Sequence, residues 1–179
     1  MNSPDMPGNL EYPIYLGLGS NSGDREYNIR DALRRLDLAF GRHYEALSDI
    51  IETKPWGFES EDMFLNAAVR YRLAVPRGTS GMQIKDNERR AAYGILSICK
   101  DIETSMGRIQ RVEYGNDGKR VYRSRPIDID ILLFGDIAIR EKDLTIPHPL
   151  MLQRDFVMIS LRQIASREEL DRIQDRQLQ

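Results

Sequence analysis

The sequence predicts an α+β fold in which helices pack on an antiparallel sheet. Short runs rich in apolar and β-branched residues alternate with longer segments whose apolar residues recur at helical spacing. Along the chain these segments follow the order β-α-β-β-α-β with short elements appended, and Gly, Asn, Asp and Pro mark the turns between them. This order is the split β-α-β arrangement of ferredoxin-like folds. We therefore expect a ferredoxin-like antiparallel sheet with helices packed on both faces, in a three-layer α-β-α arrangement.

A glycine-rich turn joins the first predicted strand to the first predicted helix. Residues 12–18 are mostly apolar and predict a buried strand, and residues 19–24 form a tight turn that ends in an N-cap residue type, Asp24. Such a turn either serves the fold alone or cradles a phosphate, but it lacks the Gly-Lys-Ser/Thr of a Walker A loop. The helix should end at Gly41, after apolar residues at Ile29, Leu33, Leu36 and Phe40.

Two further strands and a second helix follow. Residues 46–53 and 66–73 have strand composition, and residues 54–58 break regular structure between them. Residues 76–86 predict a polar loop, because they are rich in Gly, Ser and Thr. A helix is then predicted from Glu88 to Gly107, with apolar residues at Ala92, Ile95, Ile98 or Cys99, Ile102 and Met106.

The strand predicted at residues 123–134 carries two aspartates among apolar residues. Since side chains alternate along a strand, Asp128 and Asp130 share one face, roughly 6–7 Å apart. Adjacent carboxylates repel each other, and a divalent cation, best Mg²⁺, makes the arrangement favourable. Arg125 lies just before them and suits the far side of an anionic ligand. The alternative is an edge strand with one solvated face. The opposite face should hold Ile127, Ile129, Ile131 and Leu133.

A basic stretch leads into this strand. Between Arg108 and Arg125 there are six basic and two acidic residues, whereas the whole chain has a net charge of −2. The turn residues at 114–118 predict a mobile surface loop. A run of charge is usually a solvated face, but its place directly before the aspartates favours binding of an anion. The net charge of the chain argues against wholesale nucleic-acid binding.

Three further residues permit a functional or a structural interpretation. Trp56 lies on a Pro/Gly loop, where a large ring either fills a core or stacks on a flat ligand. Asn66 enters a strand, where its amide either caps the strand end or reads the edge of a heterocycle. His148 lies between two prolines, a rigid setting that suits a positioned imidazole, although a lone His is more often a surface residue.

The composition predicts a soluble globular protein with a single folded domain. Hydrophobic residues make up 41% of the chain and charged residues 30%. No apolar run approaches the roughly 18–20 residues that span a membrane. The single Cys99 excludes an internal disulfide and favours a reducing cytoplasm.

We expect a disordered leader at residues 1–11, a catalytic domain at 12–165 and a charged, frayed tail at 166–179. A short return strand at 136–140 and a last amphipathic helix at 154–164, through Phe156, Ile159 and Leu161 or Ile164, complete the domain.

Six motifs occur in one order between Ile14 and Ile164. They are Leu18-Gly19-Ser20-Asn21, Thr53-Lys54-Pro55-Trp56-Gly57, Phe64-Leu65-Asn66-Ala67-Ala68-Val69, Gly107-Arg108, Arg125-Pro126-Ile127-Asp128-Ile129-Asp130-Ile131-Leu132-Leu133-Phe134-Gly135 and Ile146-Pro147-His148-Pro149. Together they resemble the 6-hydroxymethyl-7,8-dihydropterin pyrophosphokinase family. Each motif alone is weak, but the last two combined with the Leu-Asn-Ala-Ala-Val stretch are very specific.

The resemblance implies a monomeric, cytoplasmic, ferredoxin-like enzyme of folate biosynthesis. Its reaction would move the terminal pyrophosphoryl group of ATP to the hydroxymethyl group of the pterin and release AMP. ATP would be the co-substrate, with two Mg²⁺ ions held by Asp128 and Asp130. The resemblance implies small-molecule substrates and neither a nucleic-acid nor a membrane partner.

The family pattern also assigns roles to individual positions. The catalytic residues would be Arg108, Arg125, Asp128, Asp130 and His148. The nucleotide would contact Glu103, Arg108, Arg111, Arg125, Ile131, Thr145, His148 and Arg154. The pterin would lie between Phe64 and Phe156 and contact Thr53, Lys54, Trp56 and Asn66.

Some positions depart from the family pattern. Gln110 stands where a second arginine is common, and Arg111 is the nearest substitute. Residues 123–124 replace a Gly-Pro pair, and residues 54–55 replace a Pro-Pro pair. Phe64 replaces a frequent tyrosine, which keeps the stacking face and loses the hydroxyl. These differences affect loop geometry and turnover rather than the class of reaction.

Two other functions are compatible with the same strand order. A palm-type nucleotidyltransferase or cyclase also mounts paired aspartates on a ferredoxin-like sheet, and it would release pyrophosphate from ATP instead of AMP. An RNA-binding module of this topology would need aromatic residues at strand centres and a basic face, and the chain offers neither.

Overall fold

The computed structural model describes residues 8–56, 62–108, 113–114, 120–121 and 124–177. Four helices and nine strands occur within these ranges, together with a short 3₁₀ turn at Met151–Gln153. The helices are α1 (Arg25–Phe40), α2 (Gly81–Ser105), α3 (Asp155–Ile164) and α4 (Arg167–Gln177). The strands are β1 (Asn9–Ser20), β2 (Ala46–Leu47), β3 (Ile51–Thr53), β4 (Phe64–Pro76), β5 (Glu113–Tyr114), β6 (Arg120–Val121), β7 (Asp128–Phe134), β8 (Ile139–Arg140) and β9 (Thr145–Ile146).

The main sheet contains five strands in which every neighbouring pair is antiparallel. Its order is β2-β4-β1-β7, and β3 pairs with β4 beside β2. The long strands β1 and β4 form its centre. These observations confirm the α+β class and the antiparallel sheet predicted from the sequence.

Helices cover both faces of this sheet. On one face, α1 and α2 pack on alternate residues of the central strands, including Ile14 and Leu16 of β1. On the other face, α3 and α4 pack around Tyr15 of β1 and Ala68 of β4. The alternation of side chains along each strand therefore divides the core into two apolar clusters.

The ends of α1 follow the chemistry predicted for them. The Asp24 side chain accepts a hydrogen bond from the backbone N–H of Tyr27 at 3.0 Å, so it is the N-cap. Gly41 ends the helix with φ = 64°, a left-handed conformation that glycine adopts without steric cost.

Three predicted boundaries are wrong, two of them because local polarity concealed a regular element. Residues 9–11, expected within the disordered leader, pair with residues 74–76 in the sheet, while residues 1–7 lie outside the described ranges. The polar loop expected at 76–86 contains the first turns of α2, which begins after the N-cap Ser80. These turns are largely exposed and therefore lack the apolar repeat on which the prediction relied. The second predicted strand, at 46–53, is divided into β2 and β3.

The predicted frayed tail forms a helix that belongs to the core. Residues 167–177 form α4, and Ile173 is buried in the same cluster as Tyr15. The charged residues of this segment outnumber the buried Ile173 so strongly that the sequence did not indicate a core helix. On α3 the buried residues are Val157, Met158, Ser160, Leu161 and Ile164, whereas the predicted core residue Ile159 is 45% exposed.

A β-bulge changes the facing of residues near the end of β7. Ile131 pairs with Leu16 and Leu133 pairs with Tyr15, which leaves Leu132 as an extra residue between them. Leu132 and Leu133 consequently pack on the same face, so the prediction that Leu133 shares the face of Ile129 is wrong.

Two short two-stranded sheets accompany the main sheet. The return strand predicted at 136–140 occurs as β8, which pairs with β9 rather than with the main sheet. Within the stretch expected to be a loop, β5 pairs with β6, and residues 109–112, 115–119 and 122–123 lie outside the described ranges. None of the helices in the described part of the chain has the length and hydropathy required to cross a membrane.

Candidate active site

Two rows of paired residues cross the centre of the sheet at one end. In the first row Gly19 of β1 lies between Asn66 of β4 and Asp128 of β7. In the second row Gly17 lies between Ala68 and Asp130. Directly paired residues point to the same face, so both aspartates face the side covered by α3. The glycines leave the middle of each row without a side chain, and a Cβ at Gly19 would lie 3.2 Å from Asn66 Oδ1.

Asp128 is held between two arginines. Its Oδ1 accepts a hydrogen bond from Arg108 Nη1, and its Oδ2 lies 3.4 Å from Arg125 Nη1. Arg108 follows α2 and Arg125 precedes β7, so segments far apart in sequence converge on one carboxylate. The two guanidinium groups thus offset the negative charge of this carboxylate.

Asp130 has a different setting from Asp128. Its Oδ2 lies 3.4 Å from Arg154 Nη1 and 3.9 Å from His148 Nε2, and 39% of its side chain is exposed. Loss of hydration in the surrounding protein, together with the charge of Asp128, raises the pKa of Asp130 to about 6. A carboxylate in this position gains from an added cation, because a cation offsets both effects.

Glu103 holds the guanidinium of Arg108 through an ion pair. It lies on α2, is 5% exposed, and accepts hydrogen bonds from Arg108 Nη1 and from the backbone N–H of Ile129 at 2.7 Å. Burial raises the pKa of Glu103 to about 7, and Arg108 opposes that rise. These contacts connect α2 to β7 between the two aspartates. A direct contact of Glu103 with a nucleotide stays a prediction.

His148 is fixed against β7 as a neutral imidazole. Its backbone N–H donates to the carbonyl of Leu132 at 2.9 Å, and its Nδ1 accepts from the N–H of Leu150 at 3.2 Å. Burial and the nearby Arg154 lower the pKa of His148 to about 4. The proton of the neutral ring is therefore on Nε2, on the side of Asp130. In this state His148 can donate a hydrogen bond to a ligand without adding a positive charge.

An apolar pocket opens beside the two aspartates. Trp56 is 41% exposed at its entrance, with the guanidinium of Arg154 5.0 Å from the ring centroid. Asn66 Nδ2 donates to Thr53 Oγ1 at 2.8 Å, which orients the amide. All six residues predicted for the pterin line this pocket together with both aspartates: Thr53, Lys54, Trp56, Phe64, Asn66 and Phe156.

A second, more open cavity lies on the other side of Asp130. Three residues predicted for the nucleotide, namely Ile131, Thr145 and His148, line it. The hairpin of β8 and β9 supplies one wall, with Lys142 as an additional cation. Asp130 lines both cavities, so the aspartate pair stands where they meet.

The structure brings together every predicted site residue that it describes. Arg111 and Gln110 lie outside the described ranges, so the proposed substitution between them stays a prediction. Among the described residues, no three His, Cys, Asp or Glu side chains gather as a ready-made metal cluster. The two carboxylates are nevertheless hard oxygen donors facing an open pocket, a donor set that fits Mg²⁺ completed by phosphate oxygens and water.

Sequence reasoning missed two residues of this region. Asn21 was only part of a turn motif, yet it is buried and bonds to the backbone of Arg125. Ser160 is buried in the wall of the apolar pocket, and its hydroxyl has no hydrogen-bond partner within the described part of the chain. Ser160 lies one turn after Phe156 on a predicted helix, and this spacing is the sequence signal that could have identified Ser160 as a pocket residue. No local signal identifies the bond of Asn21, because its partner is 104 residues away.

Fold and site together define a class of protein. Paired carboxylates surrounded by arginines, between an apolar pocket and a second cavity, suit the transfer of a charged phosphoryl group between two small molecules. A family model described as 7,8-dihydro-6-hydroxymethylpterin-pyrophosphokinase (HPPK) matches residues 15–166. The chain belongs to this family.

Curated relatives agree with the family match. A protein of Porphyromonas gingivalis named 2-amino-4-hydroxy-6-hydroxymethyldihydropteridine pyrophosphokinase is 41% identical over 153 residues, which cover 85% of this chain and 90% of the relative. Proteins of the same name from Aquifex aeolicus and Bacillus subtilis are 34% and 32% identical over 151 and 155 residues. These two alignments cover 84% and 87% of this chain and 79% of each relative.

Proposed function

We propose that this protein transfers the pyrophosphoryl group of ATP to 6-hydroxymethyl-7,8-dihydropterin in folate biosynthesis. The products are the pterin pyrophosphate and AMP. The observation that carries this proposal is the position of Asp128 and Asp130 at the junction of two cavities, one lined by the predicted pterin residues and the other by predicted nucleotide residues. Family membership supports the same reaction.

The pterin is held in the apolar pocket by stacking and by hydrogen bonds at its edge. Phe64 and Phe156 supply apolar ring faces, and a flat heterocycle between two rings gains dispersion and loses little entropy. The Asn66 amide, oriented by Thr53, supplies a paired donor and acceptor for the edge of the ring. This placement directs the hydroxymethyl group towards the two aspartates.

Transfer requires the hydroxymethyl oxygen to attack the β-phosphorus of ATP. The bond from that phosphorus to the oxygen bridging the α- and β-phosphates breaks, and AMP leaves with the bridging oxygen. Asp128 and Asp130 would hold Mg²⁺, two ions by the family pattern, and this metal would supply neutralisation of phosphate charge and a lower pKa for the attacking hydroxyl. Arg108, Arg125 and Arg154 add fixed positive charge around the same phosphates.

His148 complements the arginines as a hydrogen-bond donor. Its neutral ring, with the proton on Nε2, can bind a phosphate oxygen without repelling Arg154. Ile131 and Thr145 would line the nucleotide beside it. Catalysis then consists mainly of positioning and electrostatic stabilisation rather than proton abstraction by a protein base.

The strand order supports a finer description of the fold. Helix α1 connects β1 to β2 and β3, helix α2 connects β4 to β7, and the order β2-β4-β1-β7 is antiparallel throughout. We infer a ferredoxin-like core in a three-layer α-β-α arrangement. A single catalytic domain that acts as a monomer in the cytoplasm stays a prediction. The five large exposed apolar residues among those described are spread over three helices and the loop of Trp56.

The test is an assay of nucleotide products. The protein is incubated with ATP, Mg²⁺ and 6-hydroxymethyl-7,8-dihydropterin, and products are separated by chromatography. We expect AMP and pterin pyrophosphate in equal amounts, with no AMP when the pterin is omitted. Release of pyrophosphate with incorporation of AMP would instead support the palm-type nucleotidyltransferase. Absence of AMP at saturating substrates would reject the proposal.

A further inference from the structure

Asn21 joins the turn after β1 to the segment that enters β7. Its Oδ1 accepts a hydrogen bond from the backbone N–H of Arg125 at 2.8 Å, and its own backbone N–H donates to the carbonyl of Arg125 at 3.3 Å. Asn21 is 5% exposed, so both bonds are shielded from water. Two bonds in opposite directions hold the backbone of Arg125 in one position.

The neighbouring residue is held by the same group of side chains. Asn21 Nδ2 lies within 3.5 Å of Ser124 Oγ, and Ser124 Oγ donates to Asp62 Oδ2 at 2.5 Å. Thus Asn21 contacts two consecutive residues of the entering segment. The arginine side chain begins from this fixed point and reaches Asp128, with Nη1 3.4 Å from Oδ2.

A second asparagine in the same region provides a natural comparison. Asn28 Nδ2 donates to Ser20 Oγ at 3.3 Å and to the carbonyl of Ser22 at 2.8 Å. Asn28 therefore closes the turn internally, whereas the side chain of Asn21 bonds outside the turn. If Asn21 served only the shape of the turn, its loss and the loss of Asn28 would have similar effects.

We propose that Asn21 is a positioning residue that fixes Arg125 for phosphoryl transfer. It acts through the backbone of Arg125, so that the guanidinium faces Asp128 and the phosphates of ATP. This inference rests on the proposed function. It also assigns a role to the glycine-rich turn at residues 19–24, which acts through Arg125. A misplaced cation loses transition-state stabilisation even when its charge is kept.

The experiment compares four single variants and one double variant of the full chain. They are Asn21→Ala, Asn21→Asp, Asn28→Ala, Arg125→Ala and Asn21→Ala combined with Arg125→Ala. For each, kcat and the KM values for ATP and the pterin are measured with AMP as product, and thermal unfolding is followed in parallel.

We expect Asn21→Ala to lower kcat about tenfold, the loss typical of one positioning interaction, and to change the KM for the pterin less than about twofold. Asn21→Asp keeps an oxygen acceptor for the N–H of Arg125, so it should retain most of the activity. Asn28→Ala should lower the unfolding temperature at least as much as Asn21→Ala but leave kcat near the wild-type value. In the Arg125→Ala background the further loss caused by Asn21→Ala should disappear.

Two outcomes overturn the inference even where Asn21→Ala loses activity. One is an equal loss of kcat in Asn21→Ala and Asn28→Ala, which would mean that loosening the turn is sufficient. The other is an undiminished effect of Asn21→Ala without Arg125, which would mean that Asn21 acts by another route. Wild-type protein that forms no AMP would reject the proposed function itself, whereas active wild type matched by Asn21→Ala would reject only this inference.

Discussion

The two aspartates of β7 point to the same face, yet their surroundings differ. Asp128 is compensated by Arg108 and Arg125, while Asp130 is closer to the meeting point of the two cavities and its pKa is raised. Alternation along the strand predicted their common face from the sequence. The identity of their cationic partners was beyond local reasoning, because each partner lies on another segment.

Asp130→Asn tests the functional assignment of this carboxylate. The change keeps side-chain size and removes a charge that repels Asp128, so we expect the free energy of unfolding to stay equal or rise. Activity should fall about a hundredfold or more, since both metal binding and charge balance at the phosphates suffer. AMP formation and urea denaturation at pH 7 measure the two effects.

Asp136→Asn is the matched control for that substitution. Asp136 follows β7 and lies 3.4 Å from Arg172, outside both cavities that meet at Asp130. We expect this variant to keep wild-type activity. An Asp130→Asn protein that stays fully active would reject the functional assignment, and one that fails to fold would show that the carboxylate has a structural role instead.

At the scale of elements, the C-terminal helix is the largest departure from the sequence prediction. Residues 167–177 are highly charged and contain few apolar positions, so their composition resembles a solvated tail. The fold nevertheless uses Ile173 to cover the second face of the sheet. Ile173 and the half-buried Leu170 attach the helix to this cluster, and two apolar residues are too few to produce a clear periodic pattern. The early start of α2 was missed for a related reason.

Ile173→Ala should therefore destabilise the protein. Loss of a buried isoleucine costs about 2 kcal/mol or more in the free energy of unfolding, from lost burial and the cavity left behind. Urea denaturation of the variant gives this value directly. Asp171→Ala, an exposed change on the same helix, should alter the free energy by less than about 0.5 kcal/mol. Equal free energies of unfolding for wild type and Ile173→Ala would contradict the core role of α4 and support the predicted frayed tail.

Glu141 connects the hairpin of β8 and β9 to α2 and should make stability depend on pH. Arg89 binds it through both carboxylate oxygens at 2.7 and 2.8 Å, and Tyr93 donates to it at 2.7 Å. These hydrogen bonds, Arg89 first, lower the pKa of Glu141 from 4.5 to about 2. A lowered pKa in the folded state stabilises the protein above the ordinary pKa.

The contribution of Glu141 is thus present above pH 4.5 and is lost as the pH falls from 4.5 through about 2. We expect Glu141→Gln to be less stable than wild type at pH 7 and to approach it near pH 2. Urea denaturation at several pH values measures the difference. A difference that stays constant between pH 7 and pH 2 would contradict the assignment.

At the scale of the whole molecule, the site residues that could be predicted from the sequence are those that lie in short motifs. Asp128, Asp130 and His148 lie in such motifs, and so do Asn66 and Trp56 of the apolar pocket. Their convergence depends on the strand order, which places β4 and β7 on either side of β1. The hydrogen bonds of Asn21 to Arg125 and of Glu103 to Ile129 depend on contacts between distant segments. Sequence patterns of one chain do not encode such contacts locally.

The glycine between Asn66 and Asp128 has a consequence for substrate choice. Neighbouring strands in a sheet are about 5 Å apart, so the Cα atoms of Asn66 and Asp128 stand about 10 Å from each other across β1. Backbone hydrogen bonds set this interval, and no side chain can adjust it. Under the proposed function, this interval would limit the distance between the pterin edge that contacts Asn66 and the hydroxyl oxygen that reacts beside Asp128. A heterocycle whose hydroxyl lies much closer to that edge, or much farther from it, would contact Asn66 but would not place its oxygen beside Asp128.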